Sequence, residues 1–347
     1  MSSDGLSYRD AGVDIDAGNR AVAMLKDAVQ ATHGPEVLAG VGAFGGLYDL
    51  SNLAHLTRPV LAASTDGVGT KVRLAMRYGR LAGVGADLVN HCVNDILVQG
   101  ASPLFFLDYV ASSRLSPKDV AAVVGGMARA CADAHCALLG GETAEMPGVY
   151  VEGEIDVVGT IIGAVDRASV IDGKLIRPGD AVVGLASASP HTNGYSLIRH
   201  LTSGIDLEEV IEELDEAPLD VLLRPHRSYL ADYQAVCAAG VNILGMAHIT
   251  GGGLLENPPR ILDGAFSMHL DRACWTVPPL YKWLQRLGAV SDHEMHRVFN
   301  MGLGLLMVVR SEDVDHVRQA CQTDAWVVGE IRKRVTEAVT FEPRLTC

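Results

Sequence analysis

Three observations predict an α/β enzyme built of two domains. The chain has 347 residues, enough for two units that each bury a core. It is 48% hydrophobic but only 5% aromatic, and its 37 glycines suit a globular α/β protein with many tight turns. Short apolar runs of strand length repeatedly end in glycines and an acid and then pass into a helical pattern. A formal net charge of −14 repels nucleic acid over most of the surface. Any phosphate ligand must therefore be held by local cations, backbone amides and metal. No apolar run approaches the ~20 residues that cross a bilayer, and the first ten residues are polar and unlike a signal peptide. The seven cysteines form no C-x-x-C pair, so neither a disulfide framework nor a zinc site is expected from spacing. A cytoplasmic enzyme with reduced thiols, binding neither nucleic acid nor membrane, is the expectation.

Taken in order, Asp14 and Asp16 alternate with Val13 and Ile15 and can face one way on an extended segment; the preferred reading makes Asp16 the N-cap of a helix over 17–29. Lys26 lies on that helix, by position alone an ordinary solvated lysine. The glycine-rich run 40–48 lacks the G-x-G-x-x-G order. A loop closing over a nucleotide through Gly45 and Gly46 and a plain surface turn both fit it. The apolar run 59–63 predicts a strand leading into Ser64-Thr65-Asp66-Gly67-Val68-Gly69-Thr70-Lys71. The glycines let backbone N–H groups approach phosphate oxygens, Asp66 can hold Mg²⁺, and Lys71 is a point charge for the same phosphates. This is not the Walker pattern, and on spacing alone a glycine-rich turn with a capping Asp fits better.

Residues 83–100 read as one helix, apolar on most sides. Asp87, His91 and Asp95 stand at i, i+4 and i+8 and share a polar face. Buried, such a stripe needs a cation; facing solvent, it needs nothing. The strand 104–110 carries Asp108, placed at a strand end or in an ion pair, and a short strand over 137–139 runs into Gly140-Gly141-Glu142. Three strand ends thus each offer a carboxylate, and open α/β sheets gather ligands at one end of their strands. A domain boundary is expected within 166–180. Beyond it, a strand over 181–186 feeds a polar loop with His191 at its tip and Asn193 close by. His191 has the pKa range for proton transfer at neutral pH; a loop hydrogen-bonder is the plainer reading. Thr250, Gly251, Gly252 and Gly253 open a short helix, and their N–H groups can form an anion cup. His293 and His296 are three apart, which is not H-E-x-x-H, and are read as structural. A buried strand over 300–309 and a helix over 313–321 follow.

Seven of these stretches, 8–19 (YRDAGVDIDAGN), 65–71 (TDGVGTK), 93–101 (VNDILVQGA), 103–109 (PLFFLDY), 140–148 (GGETAEMPG), 191–197 (HTNGYSL) and 247–257 (AHITGGGLLEN), together resemble the phosphoribosylformylglycinamidine cyclo-ligase (AIR synthetase) family of purine biosynthesis. The resemblance spans nearly the whole chain in order. It implies two AIR-synthetase-type α/β domains, 1–170 and 171–347, with N-terminal sheets joined across a homodimer and ATP in a groove there. It further implies Mg²⁺ on Asp66 and Asp95, with Glu142, an acid near the nucleotide, as a third metal-site residue. Lys71 and Lys26 are implied on the ATP side, with the loops of Gly45, Gly46, Thr65, Gly67, Gly69 and Thr70 as phosphate-binding elements. His191 and Asn193 are implied on the substrate side. Arg9 stands where a lysine is common in the family. The implied reaction is ATP-dependent closure of the imidazole ring, with Lys71 and His191 as the catalytic pair; the 250–253 loop is read here as a cup for a substrate anion such as the 5′-phosphate.

Two other classes are weighed. A hydrogenase-maturation carbamoyl dehydratase ends in Pro-Arg-x-Cys, whereas this chain ends Pro343-Arg344-Leu345-Thr346-Cys347, one residue longer, and carries His248 where that family has an acid. A non-catalytic nucleotide-binding scaffold is opposed by the joint presence of Asp66, Lys71, Asp95, Glu142 and His191.

Overall fold

The computed structural model describes residues 14–345. Arg9 and Cys347 lie outside the described residues. The chain divides into two compact units, the first up to Cys92 plus Ser102–Asp166, the second Val93–Ala101 plus Arg167 onward. The sequence placed the division between 166 and 180 and did not anticipate that residues 93–101 go with the second unit.

The first unit opens with α1 (Ile15–Gln30), whose buried residues Ala21, Leu25 and Val29 recur every four positions. Because α1 begins at Ile15, Asp16 falls in its first turn, where a carboxylate complements the helix dipole, and is not the N-cap. A small hairpin, β1 (Val37–Ala39) and β2 (Leu47–Tyr48), encloses the 40–46 loop. Then come β3 (Pro59–Gly67), α2 (Lys71–Arg77), α3 (Ala82–Leu97), β4 (Ser102–Ser112), α4 (Pro117–Asp133), β5 (Ala137–Glu145) and β6 (Ile155–Asp166). Ser116 caps α4, its side chain accepting from Asp119 N, with Pro117 at the first helical position. Helices α3 and α4 cross at backbone distance: a Cβ on Gly85 would lie 2.0 Å from Val123 O, and one on Gly126 2.0 Å from Ala82 O.

The sheet order is β3-β6-β4-β5. The β3/β6 and β6/β4 pairs are antiparallel and β4/β5 is parallel, so β3, β4 and β5 all run one way and β6 runs against them. Register puts Asp66, Gly159, Asp108 and Gly141 in one row across the sheet. Directly opposed residues share a face, so Asp66 and Asp108 point to the same side, about 10 Å apart over two strand spacings. That side is packed by α3: a Cβ on Gly159 would strike Phe106 and Leu88. Asp108 therefore stands in the middle of β4, which rules out the strand-end placement, one of the two that the sequence left open.

The second unit contains β7 (Ala181–Ala186), α5 (Tyr195–Leu201), α6 (Pro218–Leu223), α7 (Leu230–Ala238), β8 (Gly245–His248), α8 (Gly253–Glu256), β9 (Phe266–Asp271), α9 (Pro279–Gly288), α10 (Asp292–Val298), β10 (Leu303–Val309), α11 (Val314–Ala320), β11 (Ala325–Lys333) and β12 (Val339–Glu342). They build a six-stranded sheet of order β12-β9-β11-β7-β10-β8, antiparallel except for β12 beside β9. The inner strand β10 is buried throughout, and β7 is buried except for its last residue. This fits their unbroken Val/Leu runs. On α10, His296 is buried, its ring bonded to Asp292 O at 2.8 Å, and burial pushes its pKa down to about 4. It is a neutral structural histidine.

Candidate active site

In the first unit, the end of β3 and the face of α3 build one polar cluster. Lys71 Nζ donates to Asp87 Oδ1 at 2.7 Å, with side-chain exposures of 1% and 0%. Burial pulls the lysine pKa down and the Asp87 carboxylate pulls it back up. The Asp87 carboxylate inside the core holds this ammonium. The expectation that Lys71 reaches nucleotide phosphates directly is therefore corrected: shielded and already paired, its charge is spent on holding α2 to α3. One turn further along α3, His91 Nε2 lies 2.8 Å from Asp66 Oδ2, while Gly67 N donates to Asp66 Oδ1 at 2.7 Å. Asp66 keeps 42% side-chain exposure, which leaves a positioned, ionisable carboxylate at the surface. Beside it, Gly69 turns at φ +67° with open space where a Cβ would stand, so the 67–70 loop is accessible to a ligand. Its oxygen donors and small residues suit a hard cation such as Mg²⁺.

Thr65, Glu142 and the hairpin that carries Gly45 and Gly46 are not brought to Asp66. Thr65 points to the other face of β3, its hydroxyl 2.8 Å from that of Thr160. Glu142 opposes Tyr109, one residue beyond the Asp66 row, and so also projects from the other face; within one chain it cannot share an ion with Asp66. The hairpin with Gly45 and Gly46 packs Tyr48 against Phe105, ring centroids 5.2 Å apart, on that same other face. Lys26 is exposed on α1.

The second unit holds a buried imidazole cluster. His191, in the loop between β7 and α5, is 0% exposed and adopts a left-handed φ of 61°. The sequence placed it at a loop tip; it is instead folded inward, its ring stacked on His226 with centroids 3.8 Å apart. Ser189 Oγ accepts from His191 N at 3.0 Å. His226 Nε2 lies 2.9 Å from His248 Nε2, and His248 Nδ1 lies 2.8 Å from Asp95 Oδ1. An Asp95 carboxylate accepting from His248 Nδ1–H leaves Nε2 of a neutral His248 as acceptor, so His226 Nε2–H donates to it. Gly304 makes room for this packing: a Cβ there would fall 1.9 Å from Tyr229 Oη and 2.5 Å from the His191 ring. Asn94, fully buried, accepts from Tyr229 N at 3.0 Å and donates to Arg227 O at 2.8 Å, clamping the segment that carries His226. A single histidine after a proline gives no sequence signal, and His226 was not anticipated.

The 250–253 loop does not form the expected cup. Asn257 Oδ1 accepts from Thr250 N at 2.9 Å, and Thr250 O accepts from Gly253 N at 3.0 Å, so two of the four amides are already used. Helix α8 is a single turn of four residues, too short to present a dipole. Its glycines answer packing: a Cβ on Gly253 would lie 2.2 Å from His296 O, and Gly252 turns at φ +99°. Asn193 is brought to this loop, its Oδ1 3.4 Å from the Cβ position of Gly251.

Comparison with known proteins completes the picture. Residues 51–165 match the AIR synthase related protein N-terminal domain, and residues 177–342 its C-terminal domain. A phosphoribosylformylglycinamidine cyclo-ligase of Desulfitobacterium hafniense is 51% identical over 97% of this chain and 99% of its own length. One from Bordetella pertussis is 49% identical over 96% and 94%. Among solved structures, the hydrogenase maturation protein HypE in complex with ATP shares the fold, with a TM-score of 0.66 at 16% identity over 98% of this chain and 92% of that one. The chain belongs to the AIR synthase related family, within its phosphoribosylformylglycinamidine cyclo-ligase branch.

Proposed function

We propose that this protein closes the ring of formylglycinamidine ribonucleotide to 5-aminoimidazole ribonucleotide, converting ATP to ADP and phosphate, in purine biosynthesis. The observation that carries this reading is near-full-length identity of about half to several proteins that bear the cyclo-ligase name, with both domain models matched in order. The 16% identity to HypE, against about half to the cyclo-ligases, makes the dehydratase alternative the weaker one.

The chemistry suits the residues. The formamide oxygen of the substrate is a poor leaving group. It attacks the γ-phosphorus of ATP, ADP leaves, and the oxygen becomes part of an imino phosphate. The ribosyl-bearing nitrogen then attacks the former formyl carbon, phosphate departs with that oxygen, and loss of a proton leaves the aromatic imidazole. Such phosphoryl transfer depends on positioning and charge neutralisation. Bound Mg²⁺ would supply the neutralisation at the phosphates. Asp66, exposed and oriented by His91 and Gly67 N, is the first-unit carboxylate fit for it; Asp95, 26% exposed in its side chain, is the second-unit one. Lys71 contributes by holding α2 and the preceding loop in place, and Gly67, Gly69 and Thr70 line the approach of the phosphates. His191 is assigned to the proton lost at ring closure, with Asn193 beside it for substrate. Lys26 stays a candidate for the outer phosphates.

A homodimer belongs to this proposal. The face of the first unit's sheet away from α3 carries Leu61, Phe105, Leu107, Tyr109, Val158 and Ile162, none of them fully buried, and Leu61 is 60% exposed. A second copy covers it. The reading is tested by phosphate release from ATP, expected only when formylglycinamidine ribonucleotide is added. Release without it, or none with it, would overturn the assignment.

A further inference from the structure

We propose that Asn300 is a positioning residue for His191: its amide sets the 187–191 loop against the strand on which the imidazole rests. The inference deepens the function proposed above and rests on the role given there to His191. Asn300 stands just before β10 and is 2% exposed. Its Oδ1 accepts from Tyr281 Oη at 2.6 Å, from Ser187 Oγ at 2.9 Å and from Gly302 N at 2.9 Å. Its Nδ2 donates to Ser189 O at 2.9 Å. Burial pushes the Tyr281 phenol pKa up, so this hydroxyl stays a neutral donor. Three donors converge on one end of the side chain and a carbonyl faces the other. Only an amide, in this one orientation, satisfies all four.

These bonds act on both sides of His191. Ser187 N also donates to Gly302 O at 2.8 Å, so Ser187 and Ser189 are both pinned to the 300–302 turn. Ser189 Oγ in turn accepts from His191 N at 3.0 Å. On the other side, Gly304 follows that turn in β10, and a Cβ there would come within 2.5 Å of the His191 ring. His191 holds a left-handed φ of 61°. That region is sparsely populated for a residue with a side chain and persists only where the surroundings over-determine it. The preceding Pro190 has no N–H with which to anchor the turn. The Asn300 amide therefore ties the loop that carries His191 to the strand beneath its ring. Through that tie it keeps His191 stacked on His226 at 3.8 Å.

Asn300→Asp is the sharpest variant. It keeps an acceptor for the three donors and replaces the Nδ2 donor with an oxygen facing the Ser189 carbonyl, which pushes the loop away. Ser189→Ala removes the acceptor for His191 N and leaves Asn300 intact; it carries the test if Asn300→Asp fails to fold by circular dichroism. The full-length chain is labelled with ¹³C at Cε1 of its twelve histidines, and the His191 signal is assigned by its loss in His191→Asn. Turnover is measured on the same samples. The His191 signal is expected to move in both variants. With it, kcat falls about ten- to a hundredfold in Asn300→Asp and less in Ser189→Ala, while the KM for ATP stays within about twofold. An unmoved His191 signal in the folded variants overturns the positioning, whatever turnover does. A moved signal with wild-type kcat keeps the positioning and overturns the role given to His191.

Discussion

Replacing Asp108 with asparagine stabilises the first unit above neutral pH. Asp108 sits mid-strand on the side of the sheet packed by α3, and burial pushes its carboxyl up from 3.8 to about 7. Between about pH 4 and 7 the native state holds this proton while the unfolded chain has released it. The unfolded state then binds fewer protons, so wild-type stability falls as pH rises through that window and levels off above 7. A gap of about three pKa units corresponds to at most ~4 kcal/mol. Asp108 retains some solvent access, which brings the expected gain to about 2 kcal/mol. Asparagine keeps the shape and removes the ionisation. The difference between variant and wild type starts near zero at about pH 4 and grows to its plateau by pH 8. Trp275, Trp283 and Trp326 all lie in the second unit, so tryptophan fluorescence is blind to the effect. Urea-dependent amide exchange on β4 is the suitable assay. A variant no more stable at pH 8, or a difference that does not change with pH, would refute the reasoning.

Three further outcomes follow from the same structure. Lys71→Met takes the cation from a fully buried carboxylate and costs about 3–5 kcal/mol; adding Asp87→Leu restores much of the loss, read in thermal melts by circular dichroism. A single variant as stable as wild type would contradict the pair's structural role. His191→Asn tolerates the left-handed backbone at φ 61°, keeps the fold, and lowers kcat by roughly 10²–10⁴ with little change in the KM for ATP; near-normal turnover would remove the histidine from the proton step. Leu61→Glu, on the uncovered sheet face, shifts sedimentation from dimer to monomer, and an unchanged dimer would place the interface elsewhere.

Much of this was legible in the sequence, and the failures have physical causes. The periodicity of 83–100 gave α3 to within a few residues, and the unbroken apolar runs gave β7 and β10. The polar stripe of α3 was read as buried or solvated; Asp87 and His91 are buried, and they pair with Lys71 and Asp66. Strands β11 and β12 escaped because half-buried alternation near a chain end resembles a loop. Side-chain direction was the deeper limit. Glu142 and Thr65 sit in motifs as suggestive as that of Asp66, but the two-residue period of a strand turns both away. His226 could not be found at all: residues 191, 226 and 248 come from three separate segments, and only the folded second unit makes them neighbours.

The central claim is that the formyl oxygen is activated by phosphorylation before the ring closes. Substrate carrying ¹⁸O in its formyl group is turned over with ATP and Mg²⁺, and the released phosphate is examined by ³¹P NMR. One ¹⁸O per phosphate, with one ADP and one aminoimidazole ribonucleotide formed alongside it, is the predicted result. Unlabelled phosphate, with the ¹⁸O recovered in water, would contradict the account.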